Sequence, residues 1–82
     1  MKDKQAHKIR LHGVKNITIS GEYIKLDSLL KYASLVSSGG EAKILIKEGN
    51  IFVNGEVCLN RGKKVRSGDL VRFGKDILRV CI

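Results

Sequence analysis

An 82-residue chain that is 43% hydrophobic holds one small domain, and it is too apolar to be a disordered tail. With no Trp, no Pro, two Phe and two Tyr, its core must be built from aliphatic side chains, and no apolar run approaches the ~18 residues of a membrane-spanning helix. Sixteen Lys and Arg against eight Asp and Glu leave a net charge of +8, which points to an anionic partner such as nucleic acid or an acidic surface.

Residues 1–14 mix charge with His7, His12 and Gly13, and are expected to form a loosely ordered basic tail. Ile9 and Leu11 are the residues there that suit a short edge strand. Half of the net charge, +4, falls within residues 1–15, where five cations face Asp3. Met1-Lys2-Asp3-Lys4-Gln5 leads into no apolar segment, so the cytoplasm is the expected compartment and Cys58 and Cys81 are expected to be reduced. The folded domain is expected over residues 15–82.

Lys15–Ser20 alternates and is β-branched, which predicts a strand. Gly21-Glu22 turns the chain, and Tyr23–Leu26 is extended. A first helix is expected from Asp27, with its carboxylate as N-cap, to about Leu35. Leu29, Leu30 and Ala33 fall on its buried face. Ser38-Gly39-Gly40-Glu41 has the form of a capping box and starts a second helix. Ala42, Leu45 and Ile46 are its buried stripe, Lys43 and Lys47 share its outer face, and Gly49 is its stop.

The period then changes from helical to two. Ile51–Val53 and Glu56–Cys58 flank Asn54-Gly55, the favoured pair for a two-residue hairpin turn. Asn60–Arg66 reads as a basic loop, with four cations and no acid between Arg61 and Arg66. Ser67-Gly68-Asp69 turns. Leu70–Phe73 and Ile77–Val80 predict a second hairpin around Gly74-Lys75-Asp76.

Catalytic patterns are absent from this reading. Both histidines sit in the tail, so no Cys–His or Ser–His–Asp set is suggested, and two distant cysteines do not make a zinc site. Neither an enzyme, a metal nor a cofactor is expected. The 61–66 cluster suits phosphate neutralisation, which releases condensed counterions, although a run of this kind is as often only a solvated loop. The start of the second helix, with free N–H groups, is an anion site by the same logic. Tyr23 and Tyr32 are candidates for stacking on bases, with packing as the simpler alternative.

Lys25-Leu26-Asp27, Leu30, Ser38, Ala42, Leu45-Ile46, Gly49, Ile51 and Val53-Asn54-Gly55 resemble the S4 RNA-binding domain family in order and spacing. Gly68-Asp69-Leu70-Val71 fits the same pattern. Leu29-Leu30-Lys31, Ser38–Lys43 and Arg61–Lys64 are similar to the small stand-alone bacterial members. Gly39 departs from the pattern, which has arginine after the serine.

The resemblance implies an α+β, S4-like (alpha-L) fold, with two short helices on a small antiparallel sheet of four to five strands. It implies a non-catalytic protein that binds structured RNA, ribosomal RNA in the first place, with a part in ribosome assembly or quality control; the sequence leaves the oligomeric state open, and a monomer is expected. The site residues it implies are Lys25, Lys31, Ser38, Gly39, Lys43, Lys47, Arg61, Lys63, Lys64 and Arg66. An adaptor that docks an acidic ribosomal or replication protein, and a duplex DNA binder, are the alternatives.

Overall fold

The computed structural model describes residues 13–82. The tail expected before them, with its Ile9 and Leu11 strand, lies outside the described residues. Seven strands and two helices follow one another: β1 (Val14–Thr18), β2 (Ile24–Lys25), α1 (Leu26–Tyr32), α2 (Gly39–Lys47), β3 (Ile51–Val53), β4 (Glu56–Val57), β5 (Lys64–Val65), β6 (Leu70–Phe73) and β7 (Asp76–Cys81). Five of the strands make one sheet in the order β1-β7-β6-β3-β4, while β2 and β5 make a separate ribbon.

The expected antiparallel sheet is mixed. β1 runs parallel to β7, and the other neighbours are antiparallel. A parallel pair needs a long crossover, and here nearly the whole domain supplies it. The partner also sets the ends of β1. Its ladder starts at Val14 opposite Ile77 and ends at Thr18 opposite Cys81, the last residue of β7. The strand therefore begins one residue before and ends two residues before the expected Lys15–Ser20. Val14 belongs to the sheet, not to a tail.

α1 begins at Leu26 rather than being capped by Asp27. Its N-cap, Lys25, makes no side-chain cap bond. Instead the N–H groups of Leu26 and Asp27 donate to the carbonyls of Lys63 and Arg61, at 2.9 and 3.1 Å. Asp27 lies inside the first turn, where Oδ1 accepts from the Ser28 N–H at 2.8 Å. The helix stops at Tyr32, short of the expected Leu35. Ser34 takes φ 62°. Its N–H reaches the Lys31 carbonyl, and the Leu35 N–H reaches that of Leu30. That is a Schellman ending with serine where glycine is usual.

α2 keeps its expected signals with one shift. Ser38 Oγ accepts from the Glu41 N–H at 3.1 Å, as an N-cap should. The Glu41 carboxylate, expected on the Ser38 N–H, accepts instead from the N–H and hydroxyl of Ser37, at 2.8 and 3.0 Å. Gly49, at φ 79°, closes the helix as expected. Its N–H meets the Ile46 carbonyl, and the Asn50 N–H meets that of Leu45.

One aliphatic cluster joins these pieces. Leu26, Leu29, Leu30 and Ala33 come from α1 and its end, Ala42 and Ile46 from α2. Ile17, Ile51, Val53, Val71, Leu78 and Val80 come from one face of the sheet, and Val65 from β5. Burying each Leu or Ile contributes about 1.5–3 kcal/mol. Among the described residues no polar or charged side chain is buried, so every described cation lies outside this cluster.

Glu41 carries a pH dependence. The Ser37 N–H, and after it the Ser37 hydroxyl, hold its carboxyl below its ordinary value. A group depressed by folding stabilises above its unfolded pKa, and that contribution is lost as pH falls through the folded one. Glu41→Gln is therefore expected to lower the urea midpoint at neutral pH and to lose that deficit below the ordinary carboxylate range. A deficit unchanged between neutral and acidic pH would show that the ionised form has no role.

Candidate nucleic-acid interface

The segment expected as a basic loop contains a short strand. Lys64–Val65 pairs antiparallel with Ile24–Lys25, in the register Ile24↔Val65 and Lys25↔Lys64. Val65 is fully buried, so alternation turns Lys64 and Arg66 outward. Residues opposite one another in an antiparallel pair share a face, so Lys25 and Lys64 project together. Like charges in that arrangement repel and destabilise the pair. The repulsion falls when an anion lies between them.

Ahead of β5 the chain makes a tight turn. Asn60 Oδ1 accepts from the Gly62 N–H at 2.9 Å, and the Asn60 carbonyl accepts from the Lys63 N–H at 3.1 Å. A Cβ at Gly62 would stand 3.4 Å from Asn60 Oδ1, in van der Waals contact with it. This turn presents the Arg61 and Lys63 carbonyls to the head of α1 and leaves both side chains exposed. Arg61 Nε lies 3.7 Å from Asp27 Oδ2, a half-exposed pair worth little in water. Lys64 Nζ and Arg66 Cζ stand 4.9 and 5.6 Å from the centroid of the Tyr23 ring. Lys25, Arg61, Lys63, Lys64 and Arg66 are thereby gathered around the β2–β5 ribbon and the start of α1.

The other expected residues lie on the helix pair. Lys31, Lys43 and Lys47 are exposed, and Lys31 lines a shallow cleft with Ser37 and Glu41. Among the described residues no hydrogen bond or ion pair joins Lys43 or Lys47 to the 60–66 segment. Ser38 Oγ is engaged as the N-cap of α2. A side chain at Gly39 would meet open space, so close packing does not require glycine there. The Glu41 carboxylate, one turn into α2, already complements the positive end of that helix. An anion would have to compete with it.

Two features escaped the sequence reading. One is Tyr23 as the ring beneath two cations. The other is a polar latch. Asn54, at φ 51°, sends Nδ2 to Asp69 Oδ1 at 3.1 Å and accepts from the Leu70 N–H at 2.9 Å. Asp69 Oδ2 accepts from the Arg66 N–H at 2.8 Å. The β3–β4 turn is thus tied to the turn that follows the cations. In sequence, Asn54-Gly55 and Ser67-Gly68-Asp69 read as two separate turns, with no local mark that joins them. Cys58 and Cys81 are free and half-buried.

A family model described as the S4 domain matches residues 17–81. The chain belongs to the S4 domain family. This S4 domain is 42% identical over 57 residues to a probable ribosome maturation protein, RlbA of Bacillus subtilis, covering 70% of this chain and 80% of that one. It is 33% identical over 63 residues to a tyrosine–tRNA ligase of Burkholderia lata, covering 76% of this chain but only 15% of the ligase. The solution structure of YbcJ from E. coli, whose alfaL motif is involved in RNA-binding, superposes with a TM-score of 0.62 at 29% identity. That match covers 84% of this chain and 86% of YbcJ.

The latch is open to test in the S4 domain without any ligand. Asn54→Gly keeps the positive φ and removes the two side-chain hydrogen bonds, and is expected to cost about 1–2 kcal/mol. Asn54→Ala is expected to cost about 1 kcal/mol more through backbone strain. Chemical unfolding measures both. Equal stabilities for wild type and Asn54→Gly would show that the turns are held without the latch.

Proposed function

We propose that this chain binds structured RNA, ribosomal RNA in the first place, and acts without catalysis in ribosome maturation in the cytoplasm. The observation that carries the proposal is the Lys25–Lys64 pair, two cations in register across the β2–β5 ribbon and flanked by Arg61, Lys63 and Arg66. Such a pair gains stability from a phosphate between its members. The likeness to RlbA and to YbcJ over most of all three chains supports the choice of RNA and of ribosome maturation. The tyrosine–tRNA ligase shares only 15% of its length with this chain, so aminoacylation is not carried over.

In this reading the five cations contact phosphates and position the protein on a folded stem or junction. RNA helices are read mainly by shape, through phosphates and 2′-hydroxyls. Lys31, Lys43 and Lys47 extend the contact along the helix pair, Gly39 leaves room for the backbone of the RNA, and Ser38 serves as a cap. Four to six contacted phosphates correspond to a log–log salt slope of about −3 to −5.

Lys64→Glu separates binding from folding. It sets a carboxylate opposite Lys25, so the urea midpoint is expected to hold or rise. RNA affinity is expected to fall at least about tenfold, and the salt slope to flatten by about 1 or more. A wild-type affinity independent of salt, or unchanged RNA binding by Lys64→Glu and by the Lys63→Glu/Lys64→Glu double variant, would remove this patch from the interface.

A further inference from the structure

Beside the cation patch, an open cleft of about 560 Å³ lies between Tyr23 and Tyr32, with Ile19, Gly21 and Ile24 on its walls. Tyr23 is 40% and Tyr32 63% exposed, and both meet water beside the aliphatic side chains of Ile19 and Ile24. Tyr32 is nonetheless held in place, because its hydroxyl donates to the Thr18 carbonyl at 3.3 Å. Tyr23 belongs to both features: it lines the cleft and carries Lys64 and Arg66 against its ring.

An aromatic and aliphatic slot with two cations against one of its rings suits an anion that also carries a flat apolar group. The group must have a flat apolar face for the rings and a negative charge a few ångströms away for Lys64 and Arg66. A nucleotide fits both requirements. Its base has a π-face that stacks on any aromatic ring, and its phosphate pairs with the cations. A base inside a duplex is already stacked and paired, so only an unpaired base is free to enter. We infer that the Tyr23–Tyr32 cleft holds an unpaired nucleobase of the bound RNA, with the adjoining phosphate on Lys64 and Arg66. This rests on the RNA-binding reading above and sharpens it: the preferred target is a stem that carries a bulged or looped-out nucleotide beside the patch.

The test compares the full chain on two RNA stems that differ by a single bulged adenosine, at one fixed salt concentration. Wild type is expected to prefer the bulged stem by about tenfold, within the range that base–aromatic stacking supplies. Tyr32→Leu is expected to lose most of that preference, while its affinity for the fully paired stem and its salt slope stay as in wild type. Tyr32→Phe, which keeps the ring, is expected to retain the preference. Urea unfolding of each variant confirms that an exposed ring was changed and not the fold. Equal wild-type affinities for the two stems would overturn the inference and leave RNA binding standing. So would a preference that survives in Tyr32→Leu. Binding to neither stem would overturn the RNA-binding reading, and the cleft assignment with it.

Discussion

Two backbone hydrogen bonds, from the N–H groups of Leu26 and Asp27 to the carbonyls of Lys63 and Arg61, tie the cation-rich 60–66 segment to the head of α1. The first N–H groups of any helix need partners from outside it. In α1 the N-cap side chain does not provide them: the 60–66 segment serves Leu26 and Asp27, and the Asp27 carboxylate serves Ser28. The helix is fixed in turn by Leu26, Leu29 and Leu30, all fully buried. Core packing thus reaches the surface through backbone bonds. The chain of the basic segment is held in place, and its long side chains stay exposed to water.

That arrangement places like charges in unfavourable company. Lys25 faces Lys64 across the ribbon, and Lys64 and Arg66 share the ring of Tyr23. In water the repulsion is modest, because exposed charges are well screened. A ribose–phosphate chain lowers it further and releases its own counterions. The Arg61–Asp27 pair is too long and too exposed to oppose this strongly. The latch from Asn54 to Asp69 and on to the Arg66 N–H holds the far end of the segment, so the patch is anchored on both sides.

Much of this was legible in the sequence where the signal is local. Asn54-Gly55 takes positive φ at both positions, Ser38 caps α2, Gly49 ends it, and the S4 pattern fits the fold that these elements build. What was not legible depends on residues distant in the chain. Asp27 has the chemistry of an N-cap, but the carbonyls of Arg61 and Lys63 reached the helix first. Two-residue strands such as Ile24–Lys25 and Lys64–Val65 are too short for periodicity to reveal, so the ribbon was read as an extended segment and a loop. The parallel pairing of β1 with β7 carries no mark in either strand, since Val14 and Ile77 belong to opposite ends of the domain. Of the expected site, Lys25, Arg61, Lys63, Lys64 and Arg66 converge on the ribbon. The helix-pair residues were grouped with them by resemblance alone.

Amide chemical-shift mapping by NMR, with a folded ribosomal RNA fragment titrated into the labelled protein, tests the central claim most directly. The largest changes are expected at residues 23–27 and 60–66, with smaller ones along α2. Changes confined to the outer face of the sheet, around Arg72 and Arg79, with residues 60–66 unmoved, would contradict it.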